Sequence, residues 1–188
     1  MARNELRIIS GKWKGRKLRF ADRKALRPTL GRARETLFNW LAADIVGARC
    51  VDLFGGSGAL GFEAASRGAA SVTIVENDRH TAKALSEACN VLASEEIVVH
   101  CRDALAFLRT ATGPWDIVFL DPPFHSTLLT EALTTLAAHP DCLTAHSLIY
   151  WEAAHPPEFP AAFEPLKERS AGDTSFGLLR VAGAPSLD

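Results

Sequence analysis

From residue 48 onward the chain alternates short apolar runs with stretches whose apolar positions recur every three or four residues. The apolar runs near 48–54, 71–76, 97–101, 116–121 and 146–152 predict strands, and the periodic stretches near 58–67, 79–93, 103–109 and 127–138 predict amphipathic helices. Strand-like runs near 163–169 and 174–182 close the series, the last as an antiparallel edge. Strand and helix in steady alternation build an α/β architecture: a mostly parallel, seven-stranded sheet with helices on both faces. Ligands of such sheets sit beyond the carboxyl ends of the strands.

Before residue 48 the pattern differs. Two short β-like runs, Leu6 to Ser10 and Arg16 to Phe20, flank a turn bounded by Gly11 and Gly15, and this reads as a β-hairpin with Trp13 at its tip. An indole there either stacks on a ligand or folds back on the hairpin. A helix should follow, capped by Thr29, because Ala33, Leu37, Leu41 and Ile45 recur at intervals of four; Arg32 and Arg34 then face away from its packed side.

Charge sharpens this division. Residues 1–34 hold twelve Lys or Arg against Glu5 and Asp22, a balance of +10, which leaves −11 for the rest of a chain whose formal net charge is −1. A basic arm on an acidic body points to a polyanionic partner. Lys12, Trp13, Lys14, Arg16 and Lys17 are the candidate nucleic-acid contacts, with Arg27 and Arg34 between arm and sheet. Such binding should weaken steeply with salt, and removing residues 1–24 should spare small-molecule binding while abolishing work on the nucleic acid.

With 188 residues, 47% of them apolar, the chain supports one core plus an appendage, divided as an arm over 1–26 and a main domain over 27–188. Its four cysteines, Cys50, Cys89, Cys101 and Cys142, show no CxxC spacing and read as reduced thiols in or near the core, with no metal site. No opening run resembles a signal peptide, and no span approaches the ~20 apolar residues that cross a bilayer. A cytoplasmic protein is expected.

Candidate chemistry sits at the strand ends. The first main-domain strand runs into Val51-Asp52-Leu53-Phe54-Gly55-Gly56-Ser57-Gly58, and Gly56, Gly58 and Gly61 satisfy GxGxxG, with Glu76 twenty residues past Gly56. Alone, this fits NAD as well as S-adenosylmethionine. Asp52 stands where a carboxylate would repel a pyrophosphate but accept from an ammonium group or ordered water. Asp103 either reaches an adenine amine or caps the helix that starts at Ala104. Val118-Phe119-Leu120-Asp121-Pro122-Pro123-Phe124 then drives a strand into a stiff corner rich in acceptors and ending in an aromatic ring, a surface suited to a flat, amine-bearing base. His125 beside it is either a proton carrier or an incidental loop residue.

Asp52-x-Phe54-x-Gly56-x-Gly58 resembles the cofactor motif of class I methyltransferases, and Asp121-Pro122-Pro123-Phe124 resembles the (Asn/Asp)-Pro-Pro-(Phe/Tyr) motif of those that methylate exocyclic amines. More closely, RPTLGRARETLFNWL, DLFGGSGALGFEAASRGA, VEND and DIVFLDPPF resemble the RsmD family, bacterial 16S ribosomal RNA guanine-N2 methyltransferases. The chain departs from that pattern at Gly31, where a polar residue is usual, and at Gly55, where alanine is common. The resemblance implies a Rossmann-like class I methyltransferase fold and S-adenosylmethionine as cofactor. It assigns Asp52, Phe54, Gly56, Ser57, Gly58, Glu76, Asn77, Asp103, Ala104 and Asp121 to the cofactor, and Asp121, Pro122, Pro123 and Phe124 to the target amine. It also implies action on 16S RNA in an assembled or assembling 30S subunit; apart from the resemblance, no heptad or obvious hydrophobic flank demands a partner copy, so a monomer is expected. The competing readings are an amino-methyltransferase for another RNA, DNA adenine or protein glutamine, an NAD-dependent oxidoreductase, and a nucleic-acid-binding module without catalysis.

Overall fold

The computed structural model describes residues 5–19, 28–124 and 126–183. Arg27 and His125, two of the candidate residues, lie outside them. The chain begins with a two-stranded hairpin, β1 (Glu5–Arg7) and β2 (Lys17–Arg19), followed by helix α1 (Pro28–Trp40). Then come β3 (Arg49–Asp52), α2 (Ala59–Ser66), β4 (Ser71–Glu76), α3 (Arg79–Leu92), β5 (Ile97–Cys101), α4 (Ala104–Leu108), β6 (Trp115–Leu120), α5 (Leu128–Ala138), β7 (Leu143–Ala153), β8 (Phe163–Ala171) and β9 (Thr174–Val181). The main sheet has seven strands in the order β5-β4-β3-β6-β7-β9-β8. Strands β3 to β7 run parallel, and β9 pairs antiparallel with both β7 and β8, so the last strand is antiparallel as expected but interior, and β8 rather than β9 forms the edge.

Alternation along the strands divides the core in two. Cys50, Ile74, Ile117, Phe119 and Tyr150 point to one face, where they pack with α1, α2 and α3; Val51, Val75, Val118, Leu120, Ile149 and Trp151 point to the other, toward α4 and α5. Strands buried on both faces read as the continuous apolar runs from which they were predicted. Helix α1 starts at Pro28, so Thr29 lies inside it rather than capping it, and proline at a first helical position gives up an N–H that has no partner there anyway. The α1 helix ends at Trp40, yet Leu41 and Ile45 are buried in the following turns as the spacing required. Cys101 is exposed on the edge strand β5, which corrects its assignment as a near-core thiol; Cys50, Cys89 and Cys142 are buried and free.

The two departures from the family pattern have different surroundings. A methyl group on Gly55 would meet Ile74 Cγ2 at 2.6 Å, so glycine here is matched to the isoleucine of the neighbouring strand. Gly31 is an exposed helical position with nothing within 4 Å of an added Cβ. Gly31→Ala should therefore raise stability by about 0.5–1 kcal/mol through the lost freedom of the unfolded chain, visible as a higher urea midpoint with an unchanged slope.

The hairpin is docked, not free. Leu6, Ile8, Trp13 and Leu18 join the core cluster that includes Leu37, Phe38 and Phe62. Gly11, at φ 83°, brings the turn against the end of α2 so closely that an added Cβ would sit 1.7 Å from the Ser66 carbonyl oxygen. That approach allows the Lys12 amide to donate to Ser66 O at 2.8 Å and the Trp13 amide to donate to Ser66 Oγ at 3.0 Å. The Glu63 carboxylate, 1% exposed, accepts from the Ile9 and Ser10 amides at 2.8 and 3.0 Å and from Arg67 Nε at 2.8 Å. Removal of residues 1–24 would thus strip four side chains from the core, each worth about 1.5–3 kcal/mol, and leave Glu63 short of two donors. The expectation that such a truncation spares small-molecule binding is withdrawn on that ground.

Candidate active site at the carboxyl edge of the sheet

Adjacent strands of the main sheet end in carboxyl groups. Glu76 closes β4, Asp52 closes β3, Asp121 follows β6, and Glu152 stands one residue before the end of β7. Because these four strands are parallel neighbours in that order, the acids line one edge of the molecule, with neighbouring strands about 4.8 Å apart. The glycine turn and the Asp-Pro-Pro-Phe corner therefore open side by side: Asp52 pairs in register with Phe119, and the Leu53 amide donates to Phe119 O at 3.2 Å.

The glycine turn is built by its own backbone around two of these carboxyls. Asp52 accepts from the Gly61 amide at 3.2 Å and from the Phe54 amide at 3.4 Å, which ties the strand end to the first turn of α2. Glu76 accepts from the Gly56 amide and the Asp78 amide, both at 2.8 Å. Gly58 takes φ 76°, and a side chain there would also strike the Phe62 ring at 2.5 Å, so backbone and space both require glycine. The result is a rigid loop whose peptide surface, with half-buried Phe54, Gly56 and Ser57, faces outward beside two buried acceptors.

Asp121 is the least satisfied of the four. Among the described residues it has no hydrogen-bond or ion-pair partner, and it is half-buried at the strand end. Burial, then the Glu152 carboxylate, then Asp52 push its carboxyl well above the usual range. Burial also pushes Asp52 up to about 7, opposed by the Gly61 and Phe54 amides and helped by Glu76. Tyr150 donates its hydroxyl to Glu152 Oε2 at 2.9 Å and is itself raised by burial and by Glu152 and Asp121. Such a set of acceptors suits a ligand that brings donors and positive charge.

Beyond Asp121 the chain stays stiff. Pro122 is buried, Pro123 is exposed with its carbonyl accepting from Ser126 Oγ at 2.7 Å, and Phe124 is half-buried. A cavity of about 240 Å³ lies against this corner, lined by Pro122, Pro123, Phe124, Leu129, Glu152 and His155 among others. Asn77 is exposed just past β4. Asp103 caps α4, accepting from the Ala106 amide at 2.8 Å, and Ala104 is the buried first residue of that helix, so the capping alternative is realised.

The arm residues divide sharply. Lys12, Lys14, Arg16 and Lys17 are exposed; Lys12 pairs with Glu96, Lys17 pairs with Glu5 at 2.8 Å, and Lys14 and Arg16 have no ion-pair partner among the described residues. Trp13 is 7% exposed, so it is no open stacking platform; the Lys12 ammonium lies 4.4 Å from its ring centroid and covers it. Arg34 is also corrected: it is buried and donates from Nη2 to the Arg7 carbonyl at 2.8 Å, holding the hairpin to α1, and desolvation lowers its pKa. The sequence reading missed Glu152 and Glu63. Glu152 was visible as the acid that ends Leu148-Ile149-Tyr150-Trp151, in the same way that Asp52, Glu76 and Asp121 end theirs. No comparable signal marks Glu63, whose hairpin partners, the Ile9 and Ser10 amides, are more than fifty residues away.

The family model described as Conserved hypothetical protein 95 matches residues 6–180. Ribosomal RNA small subunit methyltransferase D of Escherichia coli K12 is 43% identical over 177 residues, 93% of this chain and 89% of that protein. The protein of the same name from Haemophilus influenzae is 42% identical over 183 residues, 94% of each. The solved structure of yhhF from Escherichia coli covers 95% of this chain and 98% of its own, with a TM-score of 0.87 at 42% identity. TrmN from Thermus thermophilus, at 23% identity and a TM-score of 0.68 over 84% of this chain and 51% of its own, shares the fold. The motifs at the carboxyl edge, the order of the strands and these likenesses over nearly the whole chain have one conclusion: the chain belongs to the RsmD family of methyltransferases.

Proposed function

We propose that this protein transfers a methyl group from S-adenosylmethionine to the exocyclic N2 amine of a guanine in 16S ribosomal RNA, acting as a monomer on an assembled or assembling small subunit. The observation that carries this reading is the side-by-side opening of the glycine turn and the Asp-Pro-Pro-Phe corner at adjacent strand ends. Buried acceptors beside a close-approach glycine loop fit a cationic amino-acid and nucleoside ligand, whereas a pyrophosphate would meet Asp52 and Glu76 as like charges. When bound, S-adenosylmethionine supplies an electrophilic methyl and a positive charge that favours the ionised form of the neighbouring carboxyls.

On this reading Asp52, Glu76 and the turn from Phe54 to Gly58 hold the donor, with Asn77, Asp103 and Ala104 at its nucleoside end. The target amine is a weak nucleophile because its lone pair is delocalised into the ring. The Asp121 carboxylate and the Pro122 carbonyl accept its N–H bonds and return electron density to nitrogen, and Phe124 stacks on the base and fixes its plane. The nitrogen would gain the methyl carbon as the carbon–sulfur bond breaks and S-adenosylhomocysteine leaves, and would shed one proton to Asp121. A base in a duplex must leave its stack to reach this corner. Lys12, Lys14, Arg16 and Lys17 on the hairpin hold the surrounding phosphates, and Arg27 stands in the segment between hairpin and α1.

The defining experiment incubates the protein with methyl-labelled S-adenosylmethionine and small-subunit particles from cells lacking it, then maps the labelled nucleoside. N2-methylguanosine at a single position of 16S RNA is expected. Label on adenine, on protein or nowhere contradicts the assignment. Cofactor binding should also release protons near pH 7, because Asp52 holds a proton at about 7 until a cation docks beside it. Titration calorimetry in two buffers of different ionisation enthalpy should show a buffer-dependent heat at pH 7 that shrinks as pH rises above that value and in Asp52→Asn.

A further inference from the structure

The turn between β8 and β9 has no part in the mechanism above, yet it reaches the same edge. Ala153 of β7 pairs in register with Ser175 of β9, so Gly172 and Asp173 project just past the carboxyl end of β7. A second cavity, of about 560 Å³, separates this turn from the corner and is lined by Phe124, Ala154, His155, Ser170, Asp173 and Ser175 among others. It shares Phe124, Ala154 and His155 with the cavity against Pro122 and Pro123. Phe124 thus lines two neighbouring spaces, one backed by the corner and one by the turn.

Asp173 is exposed and, among the described residues, has neither a hydrogen-bond nor an ion-pair partner, whereas Ser170 and Ser175 hydroxyls bond to each other at 3.1 Å. A carboxylate at this position only accepts. Guanine carries a ring donor, N1–H, directly beside its N2 amine; adenine and 2,6-diaminopurine present an unprotonated acceptor nitrogen at that place. We propose that Asp173 accepts from the N1–H of the target base while Asp121 accepts from its N2 amine, which makes the β8–β9 turn the element that selects guanine. The inference rests on the reading of the target as a guanine amine. A base lacking N1–H would bring a lone pair against the carboxylate and leave it unpaired, so rejection comes from repulsion as much as from lost attraction.

The test uses the RNA or particle that supports methylation, prepared with either guanine or 2,6-diaminopurine at the mapped position. Both bases offer the same N2 amine. The wild-type protein should prefer guanine in kcat/KM by about 10²-fold, in line with one charge-assisted hydrogen bond gained and one repulsion avoided. Asp173→Ala should lose about 10- to 100-fold on guanine and most of the preference. Asp173→Asn, whose amide can donate to an unprotonated nitrogen, should methylate 2,6-diaminopurine faster than Asp173→Ala does. Thermal stability and S-adenosylmethionine affinity should not change in either variant, because the side chain has no partner to lose. A wild-type protein indifferent to the two bases, or an Asp173→Ala variant with the full preference, overturns the inference. Failure of the wild-type protein to methylate the N2 amine in either preparation instead overturns the underlying function, and the selection with it.

Discussion

Asp121→Ala should lower kcat by at least 10²- to 10³-fold, a loss typical of removing one pre-positioned group that stabilises developing charge, with little change in S-adenosylmethionine affinity. Thermal stability should stay equal or rise. The side chain is half-buried, has no partner among the described residues, and is crowded by Glu152 and Asp52, so its removal breaks no described bond and relieves like-charge repulsion. Asp121→Asn keeps an amide oxygen that can accept one hydrogen bond but cannot take up the proton, and should fall between wild type and alanine. Single-turnover assays at saturating cofactor, paired with thermal melts, separate these outcomes. A variant with wild-type turnover and a lowered melting temperature would make Asp121 a structural residue.

Trp13→Ala should cost about 3–5 kcal/mol of stability, the range for emptying an aromatic site in a packed core. The indole is covered by the Lys12 ammonium on one side and belongs to the cluster beneath the hairpin, whose anchors on Glu63 and Ser66 depend on the same docking. Trp13→Phe should lose less, because most of the apolar contact remains. Chemical denaturation of the three proteins measures this directly. An unchanged denaturation midpoint in Trp13→Ala together with a selective loss of RNA affinity would restore the open-platform reading. Substitution of Lys14 or Arg16 should have the opposite profile, with stability kept and RNA binding weakened, since neither has an ion-pair partner among the described residues.

Much of the main sheet could be read from the chain because parallel strands buried on both faces leave an unmistakable trace: an apolar run, then an acid or glycine where the backbone reaches the open edge. Asp52, Glu76 and Asp121 were found that way, and Glu152 obeys the same rule although Tyr150 and Trp151 made its strand look like pure core. The hairpin was harder. Its lysines and arginines describe a solvent-facing ribbon correctly on one side, but whether the tip stacks on a ligand or on α2 depends on Gly11 and Ser66, which are far apart in sequence. Arg34 was misjudged for a related reason: its partner is a backbone carbonyl of the hairpin, and carbonyls carry no sequence signal. Asp103 was legible as one of two roles, and the cap is satisfied by its own helix.

The central claim is that a donor held by the glycine turn and a base held by the Asp-Pro-Pro-Phe corner meet in one space between β3 and β6. A crystal structure with S-adenosylhomocysteine bound tests it most directly. The product sulfur should lie beside Gly56–Gly58 and face Asp121, leaving room for one methyl between it and an amine at the corner, a reach of about 3–3.5 Å between reacting atoms. A ligand seated in the cavity between α3 and β5, or one whose sulfur points away from Asp121 and Phe124, would contradict the account.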